Sequence, residues 1–215
     1  MPEPLPIAVL ISGSGSNLQA LIDAQADGAL ACAIEVVISD RPNVKGLDRA
    51  QAAGIPTRVV AWADHTSRNS FTDAVCGTAV EFGAEALVLA GFMRILSPSA
   101  VRRYPNAIIN VHPALLPAFP GAHAVPEALA HGVTLTGVTV HFVDAEVDHG
   151  PIIAQEAVPV LPGDDEGSLH ARIQAVEHRL LPQVVDAFCR GLVSVKGRQV
   201  SVTQHAMADE SEEVA

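Results

Sequence analysis

The first half of the chain alternates short apolar runs with longer amphipathic stretches, and that alternation constrains the fold more than any other feature. Residues 7–11 (Ile7-Ala8-Val9-Leu10-Ile11), 35–39, 57–61, 86–90 and 107–111 read as strands. Helical patterns lie between them at 17–26, 45–53, 69–82 and 97–103, the second stopped by Gly54 at a C-terminal cap position. A strand with no polar side to show is buried on both faces, which is the pattern of a parallel sheet covered by helices. The expected fold is therefore α/β: a Rossmann-like, mostly parallel sheet with helices on both faces.

After His112 the texture changes. Pro113, Pro117, Pro120 and Gly121 punctuate a stiff loop, and a short helix is expected at 125–131. Residues 134–143 and 152–159 alternate in the manner of antiparallel strands. A capped helix starts near Asp164 and runs past His178, with Leu169, Ile173, Val176 and Leu180 as its buried stripe. No internal repeat or long linker interrupts this order. The economical organisation is one domain over 1–190, in two unequal lobes of about 1–105 and 106–190. A C-terminal extension, 191–215, follows; its acidic end, Asp209-Glu210-Ser211-Glu212-Glu213, is expected to be disordered.

Composition narrows the function classes. Of 215 residues, 49% are hydrophobic and 17% charged, enough for a sizeable core. A formal net charge of −11 argues against non-specific binding to nucleic acid or to an anionic membrane surface. It leaves an anionic small molecule open, because a few placed backbone amides can hold a phosphate on an acidic protein. The cysteines, Cys32, Cys76 and Cys189, are far apart and suggest no disulfide framework. The start lacks the basic region and apolar run of a signal peptide, and no window approaches the ~20 apolar residues of a membrane span. A cytoplasmic protein, monomer or homodimer, is expected.

Ser12-Gly13-Ser14-Gly15-Ser16-Asn17-Leu18 joins the first strand to the first helix. Glycines permit a sharp turn, and the unpaired amides of a helix start can hold an anion, with Ser16 and Asn17 adding a hydroxyl and an amide. A tight turn capped by Asn would use the same residues. Asp40 stands about where a dinucleotide fold places its ribose-binding acid. However, Leu18 replaces the third glycine of that fingerprint, and Asp40 leads straight into the turn Arg41-Pro42. Phosphate binding is favoured over a dinucleotide.

Asn110 and His112 close the fifth strand, and a two-residue side-chain period sends both to one side. At the carboxyl end of a parallel strand, that side opens on the crevice where such sheets bind ligands. An amide can donate to a developing oxyanion and an imidazole can move protons near neutral pH. Taken alone, the pair also fits a strand-end Asn beside a satisfied histidine, and Asp148 in Val147-Asp148-His149-Gly150 fits an ordinary turn. A metal reading of His141, Asp148 and His149 has no recurrent ligand spacing behind it.

Four motifs, in order and in register, resemble the folate-dependent formyltransferases over roughly residues 7–190. Asn110-Val111-His112-Pro113-Ala114-Leu115-Leu116-Pro117 is similar to their signature. Ile11-Ser12-Gly13-Ser14-Gly15-Ser16-Asn17-Leu18 narrows the likeness to the stand-alone phosphoribosylglycinamide formyltransferases. Gly91-Phe92-Met93-Arg94-Ile95-Leu96-Ser97-Pro98 and the stretch from His141-Phe142-Val143 to Asp148-His149-Gly150-Pro151 match as well.

The resemblance implies formyl transfer from 10-formyltetrahydrofolate, a co-substrate, to the amine of glycinamide ribonucleotide in purine biosynthesis, without a metal. It implies catalytic roles for Asn110, His112 and Asp148, with Asn110 on the oxyanion and His112 on the protons. Asp148 would raise the pKa of His112 and order a shuttling water. Ribonucleotide contacts would fall on Gly15, Ser16, Asn17, Gln174 and Glu177. Folate contacts would fall on Met93, Arg94, Ile95 and Leu96, on Asn110, and on the loop Asp144, Ala145, Glu146, Val147 and Asp148. Ile95 and Leu96 would form an apolar wall, and Arg68 would meet the glutamate tail. His149 departs from a common glycine of the family and is expected to alter the mobility of the folate loop.

Two rivals share the chemistry. A methionyl-tRNA formyltransferase is expected to carry a further RNA-binding domain and a less acidic surface, and a formyltetrahydrofolate hydrolase an N-terminal regulatory domain. From a different class, the chain could be a non-catalytic folate- or nucleotide-binding regulator. The Asn110, His112 and Asp148 set argues for the enzyme.

Overall fold

The computed structural model describes residues 4–203; the acidic stretch from Asp209 to Glu213 lies outside them. Its strands and helices alternate as β1 (Leu5–Ile11), α1 (Ser16–Ala26), β2 (Cys32–Ser39), α2 (Lys45–Ala52), β3 (Thr57–Val59), α3 (Arg68–Glu81), β4 (Ala86–Leu89), α4 (Pro98–Arg103) and β5 (Ile108–His112). The chain continues through α5 (Ala124–His131), β6 (Leu135–Phe142), β7 (Ile152–Pro159), α6 (Glu166–Cys189), β8 (Val193–Lys196) and β9 (Gln199–Val202). Seven strands form one sheet in the order β3-β2-β1-β4-β5-β6-β7. The first five are parallel, and β6 and β7 run antiparallel, as their alternating patterns led one to expect.

The unbroken apolar runs have the predicted consequence: the sheet is dry on both sides. Ile7, Val9, Ile11, Val88 and Ile109 face one core, shared with Leu18 and Leu21 of α1 and with Ile173 and Leu180 of α6. Ala8, Leu10, Leu87, Leu89 and Ile108 face the other, with Phe71 and Val75 of α3 and Ala100 of α4. Burying one Leu or Ile of this kind contributes roughly 1.5–3 kcal/mol, so these two layers dominate the stability.

The strand order places the site. The chain winds outward from β1 to β3 and then restarts at β4 on the other side of β1. Where winding reverses, the loops after neighbouring strands part and leave a crevice at their carboxyl ends. The glycine loop follows β1 and the Gly91–Ser97 segment follows β4, so both border it.

β5 runs from Ile108 to His112, one residue beyond the apolar run at 107–111, and ends on the histidine as expected. One local reading changes. Residues 193–202, left within an extension by the sequence, form a β8–β9 hairpin. Val193, Val195 and Val200 pack against the core, which anchors it.

Candidate active site

Antiparallel pairing builds the polar cluster. Register sets Asn110 of β5 opposite His141 of β6, and His112 opposite Thr139. The loop after β6 then returns Asp148 to the same place. Its carboxylate lies 3.4 Å from His112 Nδ1 and 3.7 Å from His141 Nε2. Asn110 Nδ2 approaches Asp148 Oδ1 at 3.4 Å and His141 Nε2 at 3.1 Å. Asn110, His112 and Asp148, separated by up to 38 residues, are thus brought together.

Hydrogen bonding assigns the protons. A carbonyl oxygen only accepts, so His112 Nε2 carries the hydrogen it shares with the Phe119 carbonyl at 2.8 Å. By the same argument His141 Nδ1 donates to the Phe142 carbonyl at 2.8 Å, so Nε2 is the ring nitrogen that faces Asn110 and Asp148. His112 Nδ1 faces the carboxylate, so a proton arriving there is met by Asp148. Both Asn110 N–H groups are directed at His141 and Asp148 in this arrangement.

Burial pushes the His112 imidazole below its ordinary range; Asp148 and the Phe119 carbonyl pull it upward, and His141 adds a small push down. The expected upward pull of Asp148 is present, but desolvation of a ring only 4% exposed outweighs it. For Asp148, burial again opposes the charge and is the largest single influence. The His141 ring, the Gly121 N–H at 2.7 Å and the charge of His112 together overcome it and hold the acid below the usual carboxylate range.

On the other side of β5 a cleft of about 250 Å³ is bounded by the glycine loop, Met93, Pro113, and Gln174 and Glu177 of α6. The loop is shaped by close backbone approach. Gly15 has φ +69°, and a Cβ there would lie 2.6 Å from the Gly46 Cα of α2. Helix α1 has no side-chain cap at Gly15, so its first amides are left for a ligand. Asn17 donates to Glu177 Oε2 at 2.9 Å, while its own Oδ1 is buried without a partner among the described residues. Gln174 Nε2 reaches Ser16 Oγ at 3.5 Å. Burial raises the Glu177 carboxyl above its ordinary value, and the Asn17 hydrogen bond restrains the rise.

The segment after β4 is held from two sides. Ser12 donates its N–H to the Gly91 carbonyl at 3.1 Å and accepts the Met93 N–H on Oγ at 2.8 Å. Arg94 turns away from the cleft to pair with Asp40 at 2.6 Å, with its guanidinium over Trp62. Asp40, 3% exposed and engaged by Arg94, is closed to a ribose, which disposes of the dinucleotide reading. Met93 and Ile95 are exposed apolar side chains, suited to cover a flat heterocycle. Leu96, expected in that wall, instead turns into the core with Phe92, leaving its backbone as the accessible part.

On the other loop, Ala145, Glu146 and Val147 are exposed, and Asp144 accepts the Glu146 N–H at 2.9 Å. Arg68 opens α3, exposed and without a side-chain hydrogen bond or ion pair among the described residues. It lies one turn before Phe71, which stacks on Phe92.

His141 entered the sequence reading as a weak metal candidate and as the start of a matching stretch, with no role at the site; among the described residues no three potential ligands gather for a metal. Its alternation within β6 was visible, but not the register that sets it against Asn110.

The sequence and the fold recur in proteins of known kind. Residues 5–185 match the formyl transferase family. A phosphoribosylglycinamide formyltransferase from Mycobacterium tuberculosis is 45% identical over 199 residues, covering 93% of this chain and 92% of that one. The trifunctional purine biosynthetic protein adenosine-3 of Bos taurus is 45% identical over 205 residues. That match covers 94% of this chain and 20% of the relative, so the chain spans about a fifth of its length. The crystal structure of glycinamide ribonucleotide transformylase 1 from Symbiobacterium toebii superposes with a TM-score of 0.92 at 44% identity, covering 94% and 95% of the two chains. Sequence and fold agree, and the chain belongs to the formyl transferase family, among the phosphoribosylglycinamide formyltransferases.

Proposed function

We propose that the chain transfers the formyl group of 10-formyltetrahydrofolate to the amine of glycinamide ribonucleotide. The observation that carries this reading is the Asn110–His112–Asp148 cluster; across β5 from it, the cleft lined by Val111 and Pro113 offers free helix amides and a buried carboxylate. The phosphate would sit on Gly15, Ser16 and Asn17, and Gln174 and Glu177 would read the rest of the ribonucleotide. The folate would lie across Met93, Arg94, Ile95 and Leu96, beneath residues 144–148, with Arg68 toward its glutamate tail.

In the reaction the amine nitrogen attacks the formyl carbon and forms a C–N bond, placing a negative charge on the former carbonyl oxygen. The His112 Nε2–H, now held by a peptide carbonyl, and the Asn110 amide, now directed at His141 and Asp148, would serve that charge as donors once turned from those partners. Collapse breaks the bond to the folate nitrogen, and the proton lost by the amine passes to that nitrogen through His112 and a water held by Asp148. Acyl transfer of this kind needs positioning and oxyanion stabilisation above all. We further propose a cytoplasmic setting, in keeping with free Cys32, Cys76 and Cys189.

The test follows the ultraviolet change on release of tetrahydrofolate, with glycinamide ribonucleotide or water as acceptor. Turnover that requires the ribonucleotide supports the proposal. Equal rates without it would favour the hydrolase, and folate binding with no turnover would favour a regulator.

A further inference from the structure

The β8–β9 hairpin reaches back to the loop that carries Asp148. At its turn, Arg198 donates from Nη2 to the His149 carbonyl at 2.7 Å. Its Nη1 stands 3.4 and 3.5 Å from the two nitrogens of the His149 ring, close to both at once. That ring pairs through Nδ1 with Asp144 Oδ2 at 2.7 Å, and Asp144 Oδ1 accepts the Glu146 N–H. Arg198, His149 and Asp144 therefore tie the end of the loop to its beginning.

The loop has reason to need such a tie. Asp148 adopts φ +50°, a left-handed conformation that a side-chain-bearing residue holds only when its surroundings insist. Gly150, two residues on, passes so close to the Phe142 carbonyl that a Cβ there would overlap it. The strained residue is thus fixed on its C-terminal side by a tight backbone crossing and by the guanidinium on the very next carbonyl. A bidentate, planar cation can hold a carbonyl and lie against a ring together, which an ammonium cannot.

We propose that Arg198 is a positioning residue for the acyl-donor loop, making the hairpin a strut that sets Asp148 against His112. The proposal rests on the reading of residues 144–148 as the folate loop and of Asp148 as catalytic. It goes beyond that reading by assigning a role to an element some 50 residues further along the chain, since Arg198 and His149 are 49 apart.

Arg198→Ala and Arg198→Lys in the full chain test it. Amide hydrogen exchange over residues 144–150 should quicken about fivefold to tenfold in the alanine variant, the effect expected for losing one charge-assisted hydrogen bond on a part-exposed loop. Exchange in the glycine loop at 12–17 should not change. In turnover, KM for the formyl donor should rise about fivefold and kcat should fall, while KM for the ribonucleotide stays within about twofold. The lysine variant, able to reach the His149 carbonyl, should recover part of both effects, and Tm should move little in either.

Unchanged exchange in Arg198→Ala overturns the tie. Faster exchange with an unaltered donor KM and kcat overturns the positioning role. If the wild-type chain shows no turnover at all, the functional reading fails, and exchange still decides whether Arg198 holds the loop.

Discussion

At His112, solvation and charge pull in opposite directions within one side chain. Burial favours the neutral ring and Asp148 favours the cation, with burial the stronger. Removing the carboxylate charge should therefore lower the His112 pKa further, and Asp148→Asn should shift the ring's titration, followed by NMR, to lower pH. A shift to higher pH would contradict the assignment of forces. Turnover should fall by about 10²–10⁴-fold in His112→Ala and in Asp148→Asn, the usual worth of a positioned proton-transfer group. Circular dichroism should show both variants folded, and near-normal rates in both would sink the mechanism. The pairing of Asn110 with His112 was legible in the residues, because a two-residue period at a strand end is a local property. The position of Asp148 was not: it depends on a loop whose path is set by Gly150 against the Phe142 carbonyl and by the Gly121 N–H.

At the scale of elements, the five parallel strands could be read almost directly, since a run such as Ile7 to Ile11 has no face to give to water. Boundaries were less legible where packing extends a strand beyond its apolar run; β2 begins at Cys32 and β5 ends at His112. The hairpin escaped notice because Val193, Ser194, Val195 and Lys196 form too short an alternation to stand out without the core beneath it. The glycine loop was recognised, but not the reason for its second glycine. Gly15 is needed both for its positive φ and for the approach of α2, whose Gly46 donates to the Gly13 carbonyl at 3.0 Å. Gly15→Ala should accordingly raise KM for the ribonucleotide and also lower Tm by roughly 2–8 °C, reflecting about 1–2 kcal/mol of backbone strain. Thermal unfolding and substrate titrations check this; a KM effect with no change in Tm would mean that α1 and α2 part without cost.

For the whole molecule, Glu177 sets stability against its proposed role in ribonucleotide binding. Its carboxyl is 6% exposed, meets no cation within ion-pair range among the described residues, and has its pKa raised by burial. A folded-state pKa above the unfolded value gives stability that is complete below the unfolded pKa, about 4.3, and is lost as pH rises through the folded one. At pH 7 the chain therefore carries the cost of a buried charge. Glu177→Gln should raise Tm at neutral pH by roughly 2–4 °C, with the gain disappearing below about pH 4, while weakening ribonucleotide binding. Scanning calorimetry at the two pH values would detect it, and a lower Tm at pH 7 would refute it. The two halves of the cleft also meet in a single side chain. Ser12 belongs to the glycine loop by its backbone and to the Met93 segment by its hydroxyl. With the ribonucleotide and the folate placed as proposed, a shift that one ligand imposes on Ser12 would reach the other ligand's segment. Thermodynamic reciprocity then requires that any factor by which the ribonucleotide tightens the folate equal the factor by which the folate tightens the ribonucleotide. On the proposed placement of the two ligands, one buried serine links the segments that would hold them, and the cleft would act as a two-ligand balance.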